Sequence, residues 1–348
     1  MNSMIEPTKK HVTVQIDPAA CARWLQKHNN YLILCHANPD ADTLGCGIGL
    51  MEMLRLMGKR AYCICASFIP HRLSFLCEER STMLLEQLPS DFFWDKIISV
   101  DVAAPSLLGS YAVPFGEDGY IDLAIDHHGT HAGFAKQTCL APTFAACTEL
   151  IFDIGSEIFA WNETDRPIPK QIAMPLYAGL STDSGSFKFG AVTPQTHHRA
   201  AALLASGMAH TAVTERLYGS KPLSAVMAAK AAYEDLRFFF DNRVSLVSFT
   251  EETMKRYRLH DEDIDDVINL IRSIQGVCIA VHIKPRGENT YKISMRSIEG
   301  YDVCSVCASF GGGGHPCAAG CTVIAEDAAQ VEQRILARIG EVLNETEG

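Results

Sequence analysis

The chain has 348 residues, 47% hydrophobic, 20% charged and 8% aromatic, with a formal net charge of −11. That length predicts two domains, each with its own core, and the composition argues against a disordered chain. The acidity disfavours long duplex nucleic acid as a partner, because such a grip needs many Lys and Arg contacts to phosphates, but a small phosphorylated substrate stays open, since divalent cations invert the charge of a carboxylate-rich site.

The opening MNSMIEPTKK lacks the apolar stretch of a signal peptide, and no run of about 18 uncharged apolar residues follows, so the expectation is a cytoplasmic protein that does not enter a membrane. Asp17 opens a helix to about Lys27, YLILCH (31–36) reads as a buried strand, and 42–57 has helical periodicity ending at Gly58. RAYCICA (60–66), KIISVDVA (96–103) and IDLAIDHH (121–128) read as further strands. Helices are expected over 143–154 and 169–180, the second kinked at Pro175. Short, continuously apolar strands alternating with helices predict an α/β domain whose mainly parallel sheet is covered by helices.

After Thr193-Pro194 come helices, then Tyr218-Gly219-Ser220-Lys221-Pro222, whose turn-forming composition marks a linker between a domain over 1–218 and a smaller α/β domain over 223–348. In the second domain the pattern predicts strand 243–249, helix 261–274, strands 277–284 and 291–297, and helix 302–310. A glycine run, a short strand and a charged C-terminal helix follow. The 13 cysteines, several inside apolar runs (Cys35, Cys63, Cys65), read as reduced thiols in a reducing compartment.

Four segments carry chemistry. HANPDADTLG (36–45) places His36, Asp40 and Asp42 where a buried strand gives way to a helix, the end of a parallel sheet at which ligands bind. The plainer account is an Asn-Pro-Asp turn with Asp42 capping the helix. Asp101 closes KIISVDVA, where it could instead cap a segment starting at Ala104. Asp126-His127-His128 closes IDLAIDHH, and three adjacent polar groups at the end of a buried strand are costly without partners. Asp183, in Ser181-Thr182-Asp183-Ser184-Gly185, follows the helix expected to end at Leu180.

Together these supply His36, Asp40, Asp42, Asp101, His127 and Asp183, enough for two divalent cations sharing a carboxylate. Oxygen-rich donors with some imidazole and no thiolate favour Mn²⁺ or Mg²⁺, Mn²⁺ best. Two such ions about 3.5 to 4 Å apart stabilise attacking and leaving oxygens and generate hydroxide near neutral pH, which is phosphoester hydrolysis. Asp126 would orient a neighbouring histidine, and His128, left over after ligation, could contact or protonate the phosphate.

In order and approximate spacing, HANPDAD, the lone Asp101, Asp126-His127-His128 and STDSG resemble motifs I to IV of the DHH phosphoesterase superfamily, whose members bind two Mn²⁺ ions. The resemblance implies one ion on His36, Asp40 and Asp101, and the other on Asp42, Asp101, His127 and Asp183. YKISMRS followed by FGGGGHPCAAGC (310–321) resembles the DHHA1 domain, with its Arg-Ser and Gly-Gly-Gly-His signatures. Arg296 alternates outward from Ile293 and Met295, leaving its guanidinium for a phosphate, and Gly313 and Gly314 let backbone amides approach an anion to which His315 adds a donor. The plainer role of such a glycine run is a helix C-cap and flexible loop.

This domain order on a chain of this length resembles the bifunctional oligoribonuclease and 3′,5′-bisphosphate nucleotidase group, the nanoRNases. The resemblance implies hydrolysis of short oligoribonucleotides to mononucleotides, or of the 3′-phosphate of adenosine 3′,5′-bisphosphate (pAp). Arg296, Ser297 and His315 would hold one end of the nucleotide, in a cleft that suits short substrates. A stand-alone phosphodiesterase of cyclic di-AMP or pApA is the alternative enzyme, and a nucleotide sensor that has lost catalysis is the alternative outside enzymes. A pyrophosphatase and a RecJ-like exonuclease fit less well. Ala41, Cys46 and His131 depart from the superfamily pattern without removing a ligand, which bears on substrate preference.

Cys304, Cys307, His315, Cys317 and Cys321 have spacing loosely suggestive of zinc, but Val303, Val306, Cys307 and Phe310 form an apolar helical stripe that explains the first cysteines better. His197 and His198 read as solvated surface, and His71 and His282 as lone histidines. A homodimer is the default expectation for association.

Overall fold

The computed structural model describes residues 13–77, 82–116, 121–161 and 167–346. The chain divides into two compact units, Met1–Ser220 and Lys221–Gly348.

In the first unit β1 (Val14–Gln15) is followed by α1 (Pro18–Lys27), which the Asp17 carboxylate caps by accepting from the Ala20 amide at 2.7 Å. Next come β2 (Asn30–Leu34), α2 (Ala41–Leu56) and β3 (Arg60–Ile64), then β4 (Thr82–Met83), β5 (Lys96–Val100), β6 (Leu123–Asp126) and β7 (Gln137–Leu140). Helices α3 (Cys147–Phe159), α4 (Lys170–Asp183), α5 (Pro194–Ala205) and α6 (His210–Thr214) complete the unit. The seven strands form one sheet in the order β1-β7-β6-β5-β2-β3-β4, and every pairing is parallel.

Burial on both faces explains the continuously apolar strands. Tyr31 and Ile33 of β2 join the core beneath α2, α3 and α4, while the alternating Leu32 and Leu34 join a second cluster with Leu108, Tyr111 and Phe115. Helix α2 is almost wholly buried and packs closely against α4. Glycines permit that approach: a Cβ on Gly45 would lie 2.4 Å from the Pro175 carbonyl oxygen, and one on Gly179 would lie 2.8 Å from an Asp42 carboxylate oxygen.

Several sequence expectations need correction. The cap of α2 is Asp40, not Asp42. The helix expected from residue 143 starts at Cys147 and runs to Phe159, because residues 141–146 form a turn closed by the Phe144 amide on the Ala141 carbonyl. Helix α4 continues past Leu180 to Asp183 and carries Pro175 within an unbroken span. Strands β1 and β7, too short for a periodicity signal, were not anticipated.

The second unit comprises α7 (Leu223–Asp235), β8 (Arg237–Phe239), β9 (Val244–Ser248), α8 (Glu251–Tyr257), α9 (Val267–Arg272), β10 (Ile279–Pro285), β11 (Thr290–Ser297), α10 (Val303–Ala308), β12 (Gly313–His315), β13 (Ala318–Ile324) and α11 (Ala328–Thr346). Its sheet runs β12-β13-β11-β10-β9-β8, antiparallel except for β9 and β10. Val281, Ile283, Ile293 and Met295 pack on one face with residues of α10 and α11. Ala280 and Val247 pack on the other with residues of α7 and α9. The helix expected over 261–274 is a 3₁₀ turn, Asp261–Asp263, followed by the shorter α9. Part of the glycine run is an edge strand, β12, rather than a loop.

Candidate metal centre

The carboxyl ends of β2, β5 and β6 are neighbours in the parallel sheet, so the segments leaving them meet at one edge. His36 follows β2, Asp101 follows β5, and Asp126-His127-His128 closes β6. Asp183 arrives from the end of α4.

Asp40 divides its carboxylate between two tasks. Its Oδ1 accepts from the Asp42 and Thr43 amides at 2.9 and 3.0 Å, capping α2, while Oδ2 lies 3.6 Å from His36 Nε2. Asp42 is buried inside the first turn of α2 and is gripped by the start of α3: it accepts from the Cys147 amide at 2.6 Å, the Thr148 amide at 3.1 Å and the Thr148 hydroxyl at 2.8 Å. A helix N-terminus is the favourable place for that charge.

Asp101 lies at the centre. Its backbone adopts φ +57°, a left-handed conformation uncommon for a side-chain-bearing residue, and its carboxylate is 3% exposed. Oδ2 is 3.8 Å from His36 Nε2, and Oδ1 is 3.6 Å from His127 Nε2 and 3.7 Å from His128 Nδ1, with no hydrogen-bond partner of its own. Asp101 does not cap the following segment, whose 3₁₀ turn Pro105–Tyr111 has Ala104 at its N-cap without a side-chain bond.

His127 Nδ1 lies 3.1 Å from the Phe144 carbonyl, so it carries the proton and Nε2 keeps its lone pair. That nitrogen is 3.3 Å from Asp183 Oδ2 and 3.9 Å from Asp42 Oδ2. Asp126, fully buried, accepts from His128 Nδ1 and His131 Nδ1, each at 2.7 Å, and from the His127 amide at 2.8 Å. Burial alone would raise the Asp126 pKa, but the hydrogen bonds and charges of His128 and His131 outweigh it and hold the carboxyl well below its usual range. The same bond to Asp126 raises His128.

Burial, then the charges of neighbouring carboxylates, pushes Asp101 well above the ordinary range and Asp183 up to about 9. These carboxylates cannot all ionise beside one another without compensating positive charge. Donor atoms of His36, Asp40 and Asp101, and of Asp42, His127 and Asp183, lie within 4.8 Å of one another in each group. Four carboxylates, two imidazoles and an orphaned buried oxygen fit divalent cations.

Sequence reasoning missed three contributors. His131, noted only as a departure from a family pattern, is the second donor to Asp126. The Thr148 hydroxyl and the Phe144 carbonyl have no sequence signal; they are found only when α3 is seen to start against Asp42 and His127.

In the second unit Arg296 is half-buried on β11, paired in register with Ala280 and Ala318, and its Nη1 donates to the Met295 carbonyl at 2.9 Å. Burial lowers its pKa. Ser297 is buried and its hydroxyl donates to the Tyr301 carbonyl at 2.6 Å. Of the glycines, Gly314 has φ +147° and a Cβ there would meet the Ala318 carbonyl at 2.4 Å, whereas a Cβ on Gly313 would meet nothing. Gly314 is thus demanded by the β12–β13 pairing, while Gly313 keeps an open surface beside the exposed His315. Cys304 and Cys317 donate to the Gly314 and Ile298 carbonyls, and Cys307 and Cys321 are buried in the core. His197 is exposed and stacks on Phe187, and His282 is buried against Phe249. No helix among the described residues is long and apolar enough to cross a membrane.

Residues 30–180 match the family model of the DHH family, N-terminal domain, and residues 244–345 match that of the DHHA1 domain. The chain is 30% identical, over 89% of its length and 89% of the relative's, to the bifunctional oligoribonuclease and PAP phosphatase NrnA of Thermus thermophilus. It is 24% identical to the cyclic-di-AMP phosphodiesterase GdpP of Geobacillus thermodenitrificans, over 88% of this chain but only 46% of that one. Among solved structures, an exopolyphosphatase-related protein from Bacteroides fragilis shares the fold with a TM-score of 0.86 at 20% identity, covering 95% of this chain and 97% of that one.

Proposed function

The chain belongs to the DHH phosphoesterase family, with a DHHA1 domain after the DHH domain, and is a hydrolase of phosphate esters; on that premise we propose that it is a two-metal, Mn²⁺-dependent enzyme of short oligoribonucleotides and of pAp. His36, Asp40 and Asp101 would hold one cation, and Asp42, Asp101, His127 and Asp183 the other. The observation that carries this reading is the Asp101 carboxylate: buried, on a left-handed backbone, with an unpartnered oxygen, and within 4 Å of a histidine from each donor group.

Such a pair of ions supplies charge stabilisation to the attacking and leaving oxygens of a phosphoester. The chain's own residues prepare the rest. Phe144 fixes the His127 tautomer, and α3 fixes the orientation of the Asp42 carboxylate through two amides and a hydroxyl. Asp126 orients His128 and favours its protonated form, which suits it to contact the scissile phosphate or donate to the leaving oxygen. Within the DHHA1 domain, Arg296, Ser297, Gly313, Gly314 and His315 are the residues proposed to bind a phosphate of the nucleotide. The similarity to the Thermus thermophilus enzyme over nearly the full length of both chains supports short RNA and pAp over cyclic di-AMP.

The test is Mn²⁺-dependent turnover of a 5′-phosphorylated diribonucleotide, pAp, cyclic di-AMP and pyrophosphate. Cleavage of the first two supports the reading; preference for the cyclic dinucleotide replaces it with the signalling phosphodiesterase, and binding without turnover of any substrate with a nucleotide sensor.

A further inference from the structure

Lys292 is a basic residue that the site described so far does not use. It lies on β11 four residues before Arg296, and strand alternation puts both side chains on the same face. The register sets Lys292 opposite Lys284 on one side and Thr322 on the other, and Arg296 opposite Ala280 and Ala318. At about 3.4 Å per residue the two basic groups are spaced by roughly 14 Å along the strand.

The surroundings of Lys292 suit an anion. It lines an open depression of about 400 Å³ with Gly311, Gly312, Gly313, Gly320 and Thr322. The glycines leave backbone without side-chain cover, and β12 is an edge strand, so one side of its backbone has no strand neighbour. Lys292 is the one charged residue among the described residues lining this depression. Lys284 and Arg286 are neutralised by Asp265 and Asp261, but Lys292 makes no ion pair among the described residues. Its pKa is lowered by burial first and then by the charges of Lys284 and Arg286, which outweigh the opposing charges of Asp265 and Asp261.

We infer that Lys292, with the glycine edge of β12 and Thr322, forms a second phosphate subsite on the DHHA1 sheet, which takes a phosphate of single-stranded oligonucleotide beyond the one at Arg296. This rests on the oligoribonuclease reading and adds to it a determinant of substrate length. A pAp molecule or a dinucleotide is too short to engage both Arg296 and Lys292, whereas a tetranucleotide reaches both.

The experiment measures affinity of the full chain by calorimetry in chelator, so that nothing turns over, for 5′-phosphorylated di- and tetraribonucleotides at several salt concentrations. Lys292→Ala should weaken tetranucleotide binding about fivefold and make its logarithmic salt dependence shallower by about 0.7, with a smaller change for the dinucleotide. Thr322→Glu, an exposed change that sets a carboxylate opposite Lys292, should act alike, and Lys292→Arg should restore binding. Lys230→Ala, which removes an exposed lysine from α7, controls for net charge. Equal tetranucleotide affinity in wild type and Lys292→Ala, or an equal loss for both lengths and for Lys230→Ala, overturns the subsite. Turnover with Mn²⁺ separates the two readings: Lys292-dependent tetranucleotide binding without cleavage keeps the subsite and removes the oligoribonuclease, while cleavage with unchanged length dependence does the reverse.

Discussion

At the scale of single residues, Asp101 shows how a site can be recognised by what it lacks. A buried carboxylate oxygen without a donor costs stability unless a cation completes it, and a left-handed backbone adds strain. Asp101→Asn is the clean probe, because asparagine tolerates that backbone and preserves the shape while removing the charge. We expect turnover to fall at least about 100-fold, judged against the 10–100-fold cost of losing even an outer partner of a metal site. Thermal unfolding should show no loss of stability without metal, together with a diminished stabilisation by added Mn²⁺. His131 is tested by a contrasting pair. His131→Phe leaves one Asp126 oxygen without its donor and should cost about tenfold in kcat, whereas His131→Asn, which keeps an amide donor, should retain most of the activity.

At the scale of elements, the centre depends on how closely α2 and α4 approach. Asp42 is held by the first residues of α3 on one side and abuts Gly179 of α4 on the other. A methyl at Gly179 would fall 2.6 Å from the Thr148 side chain and 2.8 Å from the Asp42 carboxylate, so it must displace a helix or a ligand. Gly179→Ala should therefore destabilise the first unit by about 1–3 kcal/mol, read by denaturant unfolding, and lower metal affinity as well. A variant stable to within a few tenths of a kcal/mol with native metal affinity would show that α4 yields without disturbing Asp42.

At the scale of the whole molecule, the two units have separate cores and separate sensitivities. The second carries a buried histidine, His282. His282 is 2% exposed with an unpartnered Nε2, and burial, then the charge of Lys284, pushes its pKa down to about 3. The unfolded chain binds a proton at this residue near its ordinary value of about 6.5, and the folded chain does not until about pH 3. Stability is thus fully present above about pH 6.5 and falls as pH drops toward 3, by up to a few kcal/mol. His282→Leu should flatten the acid limb of the second unit's unfolding midpoint plotted against pH; an unchanged slope would assign the acid sensitivity elsewhere.

The sequence by itself determined the α/β class and singled out the polar residues that the fold gathers at the candidate centre, since apolar strands and the polar groups that close them are local signals. Parallel pairing then brings those strand ends to a common edge. Tertiary structure alone decided how the carboxylates divide their work. Asp40 and Asp42 are two residues apart and equally able to cap a helix on paper, but Asp42 is claimed by amides 105 and 106 positions away, leaving Asp40 as the cap. His131 became a partner of Asp126 only through the turn after β6. The glycine run became an edge strand because β13 offered it a ladder. Contacts between distant segments leave no periodicity in either segment, and that is why the chain's chemistry was legible before its packing.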